Sequence, residues 1–153
     1  MLFRSNMALT FNGIAQGFAT DRVREVLSNH GFEKALVNIG EYAAGDRTAR
    51  IGIADENDQI FDIAEIQNQS IATSSPGGYR FADGSGHILS PSGRMTKPVW
   101  KTVSLVAEKA VFADGFSTAL VLAPDTGLAE QLKADGFVER IVLKDDENRI
   151  IRF

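Results

Sequence analysis

Asp114 and Thr118 are the two residues whose types and spacing most directly suggest chemistry in this sequence. They lie in the run from Lys109 to Leu122, which has few helix breakers and an apolar pattern typical of a helix. Residues four apart share a helix face, so a carboxylate and a hydroxyl would be presented together. Such oxygen donors suit a hard cation such as Mg²⁺. The alternative is an ordinary buried helix with two polar residues toward solvent, which the spacing alone favours.

The pattern of helices and strands around this pair predicts an α+β fold, because strands outnumber helices and are mostly joined as hairpins. A turn marked by Asn12-Gly13 leads into a helix that stops at His30-Gly31. A short helix begins at Asp125, a plausible cap, and stops at Gly136. Runs of strand length, mostly joined as hairpins, occur at 35–39, 49–54, 60–63, 70–73, 79–81, 87–89, 99–107, 138–143 and 149–153. We expect one domain over residues 10–153, with mostly antiparallel strands and two to three helices.

The composition is that of an ordinary globular chain and excludes several kinds of site. With 153 residues the chain can bury the core of one domain. A net charge of −4 gives no reason to expect nucleic acid or an anionic membrane surface as partner. The sequence has no cysteine, which excludes disulfides, thiolate catalysis and cysteine-based zinc sites.

The first residues do not read as part of the domain. Residues 1–7 lack the apolar stretch and cleavage pattern of a signal peptide. Leu2-Phe3-Arg4-Ser5 is also what a common sequencing adapter encodes in one frame. We therefore expect residues 1–9 to be a non-native or incomplete start, which the first codons of the encoding DNA would test.

Five short stretches carry a family pattern when they are taken in order. They are NGIAQG at 12–17, LVNIG at 36–40, IATSSPG at 71–77, HILSP at 87–91 and ADGFSTA at 113–119. Their order and intervals resemble the ApbE-type FAD:protein FMN transferases, whose pattern runs approximately GGIAKG, LVNxGG, IATSG, HIxDPxTG and ADxxxTA. The resemblance extends from about Thr10 to the end, and it matches only the C-terminal half or so of a full-length member.

The resemblance implies Mg²⁺-dependent transfer of FMN from FAD to a threonine hydroxyl of a target protein, with release of AMP. Asp114 and Thr118 match the family's side-chain metal ligands, and Gly13 matches a position that contributes a backbone carbonyl. His87 matches a histidine near the flavin nucleotide, a candidate base because a free imidazole titrates near neutral pH. Ile88 beside it would contact FAD through packing or backbone.

Four positions depart from the family pattern. Gln16 replaces a lysine that contacts FAD; its amide can hydrogen-bond a phosphate or ribose but cannot neutralise charge. Thr10, also at a FAD-binding position, replaces an acidic residue. Glu41 replaces the second glycine of LVNxGG, and Ser90 replaces the aspartate of HIxDP. Gln16, Glu41 and Ser90 motivate one alternative, a non-catalytic flavin-nucleotide-binding module. A second alternative is a FAD pyrophosphatase that releases FMN and AMP with water as acceptor, which the same ligand set could support.

The family also implies partners and a compartment for a full-length parent. Its acceptor would be a flavoprotein subunit bearing a threonine on the periplasmic side, so the parent would be periplasmic or anchored in the inner membrane. Because the matched part is only the C-terminal half, we expect weak or no activity from residues 1–153 alone.

Overall fold

The computed structural model describes residues 9–82, 84, 86–90 and 98–153. Within these ranges the chain forms three helices and eight strands, mostly antiparallel, which confirms the predicted α+β class. The helices are α1 (Asn12–Asn29), α2 (Ala110–Val121) and α3 (Gly127–Ala134). The strands are β1 (Leu36–Asn38), β2 (Tyr42–Ala44), β3 (Ala49–Ala54), β4 (Ile60–Ile66), β5 (Ser70–Ser74), β6 (Trp100–Ala107), β7 (Arg140–Asp145) and β8 (Ile150–Arg152).

Six strands form an antiparallel sheet in the order β1-β2-β5-β6-β7-β8. β6 lies inside this sheet and is buried at nearly every position, because both of its faces are covered. β3 and β4 pair with each other in a separate two-stranded sheet. The predicted hairpins at 49–63 and 138–153 are therefore confirmed as β3–β4 and β7–β8.

Two apolar clusters hold these layers together. The first joins the six-stranded sheet to α2 and α3, and its fully buried members include Leu105, Leu120 and Leu143. The second joins the β3–β4 sheet to the larger one, through residues such as Ile66 and Ile71. Burial of each such side chain contributes about 1.5–3 kcal/mol.

α2 is the helix that the rest of the fold encloses. It packs against β5 and β6 on one side and against α1 on the other. Half of its twelve residues are consequently buried, at Ala110, Ala113, Asp114, Ser117, Leu120 and Val121. A polar residue on such a helix is therefore held by neighbours on both sides.

The predicted stops of α1 at His30-Gly31 and of α3 at Gly136 are confirmed, whereas the N-cap of α3 is Thr126 and not the predicted Asp125. His30 caps α1, and Gly31 follows with a φ of +85°, which glycine adopts without strain. Asp125 accepts a hydrogen bond from the Gly127 amide at 2.9 Å, one residue before the cap of α3. No helix in the described ranges is long and apolar enough to cross a bilayer.

Two other local features differ from the prediction. α1 already begins at Asn12, so Asn12-Gly13 forms the first turn of the helix rather than a turn before it. The strand β2 was missed, because three residues carry too little alternation to be detected.

The segments predicted as strands at 79–81 and 87–89 also differ from the structure. Neither forms a strand, and a single antiparallel bridge joins Arg80 to Gly86. His87 therefore does not begin a strand. The expectations about the start, residues 1–9, and about an irregular stretch from Pro91 to Pro98 fall almost wholly outside the described residues.

Candidate active site

α2 carries Asp114 and Thr118 one turn apart, as their spacing predicts. This face is not turned to solvent, since Asp114 is only 6% exposed and Thr118 is partly buried. Asp114 Oδ2 accepts a hydrogen bond from the Gly17 amide of α1 at 2.8 Å. The alternative of two polar residues facing solvent is therefore wrong.

Glycines bring α1 and α2 into close contact around this pair. A Cβ on Gly17 would lie 2.4 Å from the Ala110 carbonyl oxygen and 2.8 Å from Asp114 Cβ. A Cβ on Gly13 would lie 3.3 Å from Thr118 Cγ2. The two backbones can approach this closely because no side chain separates them. The close approach gathers Gly13, Asp114 and Thr118, the three residues predicted to hold the metal.

The Gly17 amide also affects the carbonyl group of Gly13. In a regular helix this amide donates to the carbonyl oxygen four residues earlier, which belongs to Gly13. Its hydrogen bond to Asp114 competes with that helical bond. A carbonyl oxygen has two lone pairs, so whichever bond the Gly17 amide makes, the Gly13 carbonyl oxygen keeps at least one for a cation, for which backbone carbonyls are ordinary ligands.

A chain of hydroxyl groups orients Thr118. Ser117 Oγ donates to the Asp114 carbonyl at 3.0 Å, and Ser74 Oγ lies 2.7 Å from Ser117 Oγ and 3.3 Å from Thr118 Oγ1. Each hydroxyl has one hydrogen, and that of Ser117 is used in its bond to the Asp114 carbonyl. Ser74 must therefore donate its hydrogen to Ser117, and in its contact with Thr118 it can only accept. The Thr118 hydrogen then points toward Ser74 at the end of β5, and its oxygen lone pairs are directed elsewhere. Sequence reasoning missed Ser74 and Ser117, although both lie in the recognised motifs.

Asp114 carries an uncompensated negative charge when it is ionised. Burial raises the pKa of its carboxyl group, and the Gly17 hydrogen bond opposes that rise. In the described ranges no Lys or Arg side chain forms an ion pair with it. A bound cation would supply the missing positive charge.

The donor set fits Mg²⁺. A buried carboxylate, a threonine hydroxyl and a backbone carbonyl are all hard oxygen ligands, and a magnesium site with few protein ligands leaves positions for phosphate and water. Among the described residues no three His, Asp or Glu side chains converge as a metal cluster. The site therefore depends on neutral oxygens beside Asp114.

Asp21 fixes the start of α2 from the neighbouring helix. Its two carboxylate oxygens accept hydrogen bonds from the Ala110 and Val111 amides at 2.8 and 3.0 Å. The residue at the N-cap of α2, Lys109, provides no side-chain cap of its own. A carboxylate at this end also favours the helix dipole. Asp21 thus locks the relative positions of α1 and α2, and nothing in the sequence spacing indicated this role.

Glu41 is a second buried acidic residue, and the charge of Asp114 affects its pKa. It is 7% exposed and lies in the turn between β1 and β2. Burial, and secondly the Asp114 charge, raise the pKa of Glu41 to about 8, while a hydrogen bond from the Thr73 backbone opposes the rise. The sequence marked Glu41 only as a departure from a glycine pattern and did not indicate its burial.

Gln16 and Thr10 take structural positions near the start of α1. The Gln16 side chain crosses to the β1–β2 turn, where a Cβ on Gly40 would lie 2.5 Å from Gln16 Nε2. Thr10 Oγ1 accepts a hydrogen bond from the Asn12 amide at 3.2 Å, at the start of the helix. Their predicted contacts with FAD stay predictions.

His87 and Ile88 make different contacts from one another. His87 is exposed, and its Nδ1 lies 3.3 Å from the Tyr79 carbonyl oxygen. Since a carbonyl only accepts, Nδ1 is the nitrogen that donates in this contact, which leaves Nε2 as the ring nitrogen that can accept in the neutral tautomer. Ile88 packs against the first apolar cluster. Within the described residues no hydrogen bond joins His87 to Asp114 or Thr118, so its catalytic role stays a prediction.

Known proteins share this arrangement of elements. The chain is 27% identical to the ApbE protein of Thermotoga maritima, with a TM-score of 0.78 over 92% of this chain and 49% of that one. It is 28% identical to the apo form of the Pseudomonas stutzeri flavinyl transferase ApbE, with a TM-score of 0.72 over 95% of this chain and 50% of that one.

A curated relative and a family model agree with these structures. The FAD:protein FMN transferase of Salmonella typhimurium is 24% identical over 147 residues, which are 88% of this chain and 42% of the relative. The chain thus spans about half the length of the proteins it matches. The model described as the ApbE family matches residues 2–139. Because this match covers most of the chain, and the solved structures have the same fold, the chain belongs to the ApbE family.

Proposed function

We propose that this chain forms the metal-binding part of a FAD:protein FMN transferase, which moves FMN from FAD to a threonine hydroxyl of a target protein. The observation that carries the proposal is the α1–α2 contact, where Gly13 approaches Thr118 and the Gly17 amide donates to the buried Asp114 carboxylate. The naming of the Salmonella relative as a FAD:protein FMN transferase supports the same reaction.

The reaction is a substitution at phosphorus. The threonine oxygen forms a bond to the phosphorus on the FMN side of FAD, and the bond from that phosphorus to the bridging oxygen breaks. AMP leaves with the bridging oxygen, and the threonine proton passes to a base. Mg²⁺, when bound, neutralises charge on the phosphate oxygens.

In this scheme the residues of the chain hold the cation and orient the groups around it. Asp114 and the Gly13 carbonyl supply oxygen ligands, and Ser74 turns the Thr118 hydrogen away from the cation. His87 is the proposed base, with Nε2 as the accepting nitrogen, because Nδ1 contacts the Tyr79 carbonyl oxygen. Gln16 lies on the β1–β2 turn and would offer its amide to a phosphate or ribose without neutralising charge.

The test combines a binding and a product measurement. FAD binding is followed by flavin fluorescence with and without Mg²⁺, and AMP is measured after addition of a threonine-bearing acceptor peptide. We expect Mg²⁺-dependent binding and slow AMP release in the unmodified chain, and loss of both in Asp114→Asn. The control is Asp135→Asn, an exposed carboxylate after α3, which should behave like the unmodified chain.

Other outcomes would change the assignment. AMP formed equally without acceptor would identify a FAD pyrophosphatase, which the same oxygen ligands could support with water as nucleophile. Binding of FAD with no AMP would favour a non-catalytic flavin-nucleotide-binding module, for which the neutral Gln16 and the added carboxyl group of Glu41 are the supporting observations. Binding that ignores Mg²⁺ and survives in Asp114→Asn would refute the proposal.

A further inference from the structure

α1 packs against the rest of the fold through its small and polar residues. Gly13, Gly17 and Asp21 contact α2, and Thr20 lies on the same face by its spacing. Within the described structure Gly17 and Thr20 are the only fully buried residues of this helix. A surface helix of a globular protein ordinarily turns its apolar stripe toward the core. α1 does the reverse.

The outward side of α1 carries large apolar side chains instead. Phe11, Ile14, Phe18 and Val26 are each between 39% and 63% exposed. Their spacing places them on one side of the helix, and we call this stripe the α1 apolar face. An 18-residue helix is about 27 Å long, and the stripe follows most of that length. A continuous exposed apolar patch marks an interaction site, whereas single exposed apolar residues do not.

The open edge of the main sheet lies next to the same helix. β1 is the end strand of that sheet, contacts α1, and pairs only with β2 in the described ranges. Leu36 and Ile39, in β1 and directly after it, are both exposed. An edge strand presents unpaired backbone N–H and C=O groups to any chain that can pair with it. Backbone and apolar side chains are therefore both left without partners here.

A groove of about 770 Å³ adjoins the α1 apolar face. Phe18, Phe32 and Val111 line it, from α1, the segment after α1 and the start of α2. Five acidic and three basic side chains also line it, so the groove does not favour a phosphate or another anion. Apolar side chains bordered by charges of both signs are typical of a surface that binds polypeptide.

The relatives contain a polypeptide that could cover these features. The Thermotoga maritima and Pseudomonas stutzeri structures match 92% and 95% of this chain, yet the match takes up only 49% and 50% of their own chains. The other part of each protein has no counterpart among these 153 residues. An element packed against that part could bury the α1 apolar face, as the core of a domain ordinarily does.

We propose that the α1 apolar face, with the groove and the β1 edge, docks the part of an ApbE domain that these 153 residues do not match, whether the same polypeptide or another one supplies it. The inference is independent of the proposed reaction, because it rests on the fold and on exposed side chains. The face also reaches the candidate site, since a Cβ on Gly115 would lie 3.0 Å from Ile14 Cγ2. The docked part would therefore border the α1–α2 contact.

The test mixes this chain with the unmatched part of the Thermotoga maritima ApbE protein, made as a separate polypeptide, in the absence of FAD and metal. Isothermal titration calorimetry measures binding, and the matching part of the Thermotoga protein is the positive control. Phe18→Gln and Val26→Gln replace apolar residues of the face with a polar residue of good helix propensity. The control variant is Ile60→Gln, because Ile60 is exposed on the separate β3–β4 sheet.

We expect the unmodified chain and Ile60→Gln to bind equally well, and Phe18→Gln and Val26→Gln each to bind about 10-fold more weakly, as for buried interface anchors. The melting temperature of the separate chain should change little in either α1 variant. The reason is that both side chains are more than half exposed in it.

Three results would overturn the proposal. The first is that the Thermotoga part binds its own counterpart but not this chain. The second is that Phe18→Gln lowers the melting temperature of the separate chain as much as a core substitution such as Leu105→Ala, which would mean that the face is already buried. The third is a dimer, detected by light scattering, that Phe18→Gln dissociates, because a second copy would then occupy the face. None of these results bears on the proposed function, since no measurement uses FAD or Mg²⁺.

Discussion

Gly17→Ala is the substitution that tests the α1–α2 contact most directly. The added Cβ would lie 2.4 Å from the Ala110 carbonyl oxygen, 2.7 Å from the Ala110 carbonyl carbon and 2.8 Å from Asp114 Cβ. Two of these three atoms belong to the α2 backbone and cannot rotate away. The helices would have to separate by about 1 Å to restore ordinary contact distances, in an interior that is close-packed.

Three effects set the size of the loss. Overpacking of this kind costs about 1–3 kcal/mol. A weakened hydrogen bond from the Gly17 amide to the Asp114 carboxylate adds about 1.5–3 kcal/mol. The higher helix propensity of alanine offsets about 1 kcal/mol of this destabilisation. We expect a net destabilisation of about 2–4 kcal/mol, which for a chain of this size lowers the melting temperature by roughly 5–15 °C.

The assay is thermal and urea unfolding followed by circular dichroism, with Gly115→Ala as the matched control. Gly115 lies in α2 at the same contact, but its Cβ would lie 3.0 Å from Ile14 Cγ2 and 4.0 Å from the Gly13 carbonyl oxygen, the latter an ordinary contact distance. Ile14 is 39% exposed, so its side chain can move. Gly115→Ala should therefore be neutral or stabilising by up to about 1 kcal/mol. Equal stability of the two variants would refute the close approach of the helices at Gly17.

Three other predictions follow from single contacts. The Lys144 ammonium donates to Asp55 at 2.6 Å and holds the pKa of that carboxyl group below its usual range. The stabilisation from the ionised Asp55 is therefore present above about pH 4 and lost as the pH falls through the lowered pKa. Asp55→Asn should flatten the acid side of a plot of melting temperature against pH, and an unchanged plot would contradict this. Thr20 Oγ1 is buried and has no hydrogen-bond partner in the described part of the chain. Thr20→Val should therefore raise the free energy of unfolding, measured by urea titration, by about 1 kcal/mol. A lower free energy of unfolding would mean that the hydroxyl has a partner. Ser74→Ala removes the acceptor of the Thr118 hydrogen and should weaken Mg²⁺ binding several-fold with little change in melting temperature; unchanged affinity would show that Thr118 needs no such orientation.

Sequence patterns predicted most elements because their signals are local. The run at 109–122 predicted α2 to within a residue at each end, and alternation predicted β6, although burial of both strand faces obscures that alternation in the structure. The start of α1 was placed too late, because Asn12-Gly13 resembles a turn when the residues that pack against it are unknown. β2 was too short to detect, and the pairing that stabilises it comes from β5, far along the chain.

The sequence by itself determined that Asp114 and Thr118 share a helix face, since residues four apart are neighbours in any α-helix. It also carried the five motifs that the ApbE resemblance used. Only the tertiary structure decided that Asp114 is buried and bonded to Gly17, 97 residues away, and that Ser74 orients Thr118 from 44 residues away. It likewise decided that Glu41 is buried and that the charge of Asp114 affects its pKa. The physical reason is that helical periodicity fixes directions along one element, whereas burial, charge and hydrogen-bond partners depend on which elements pack together.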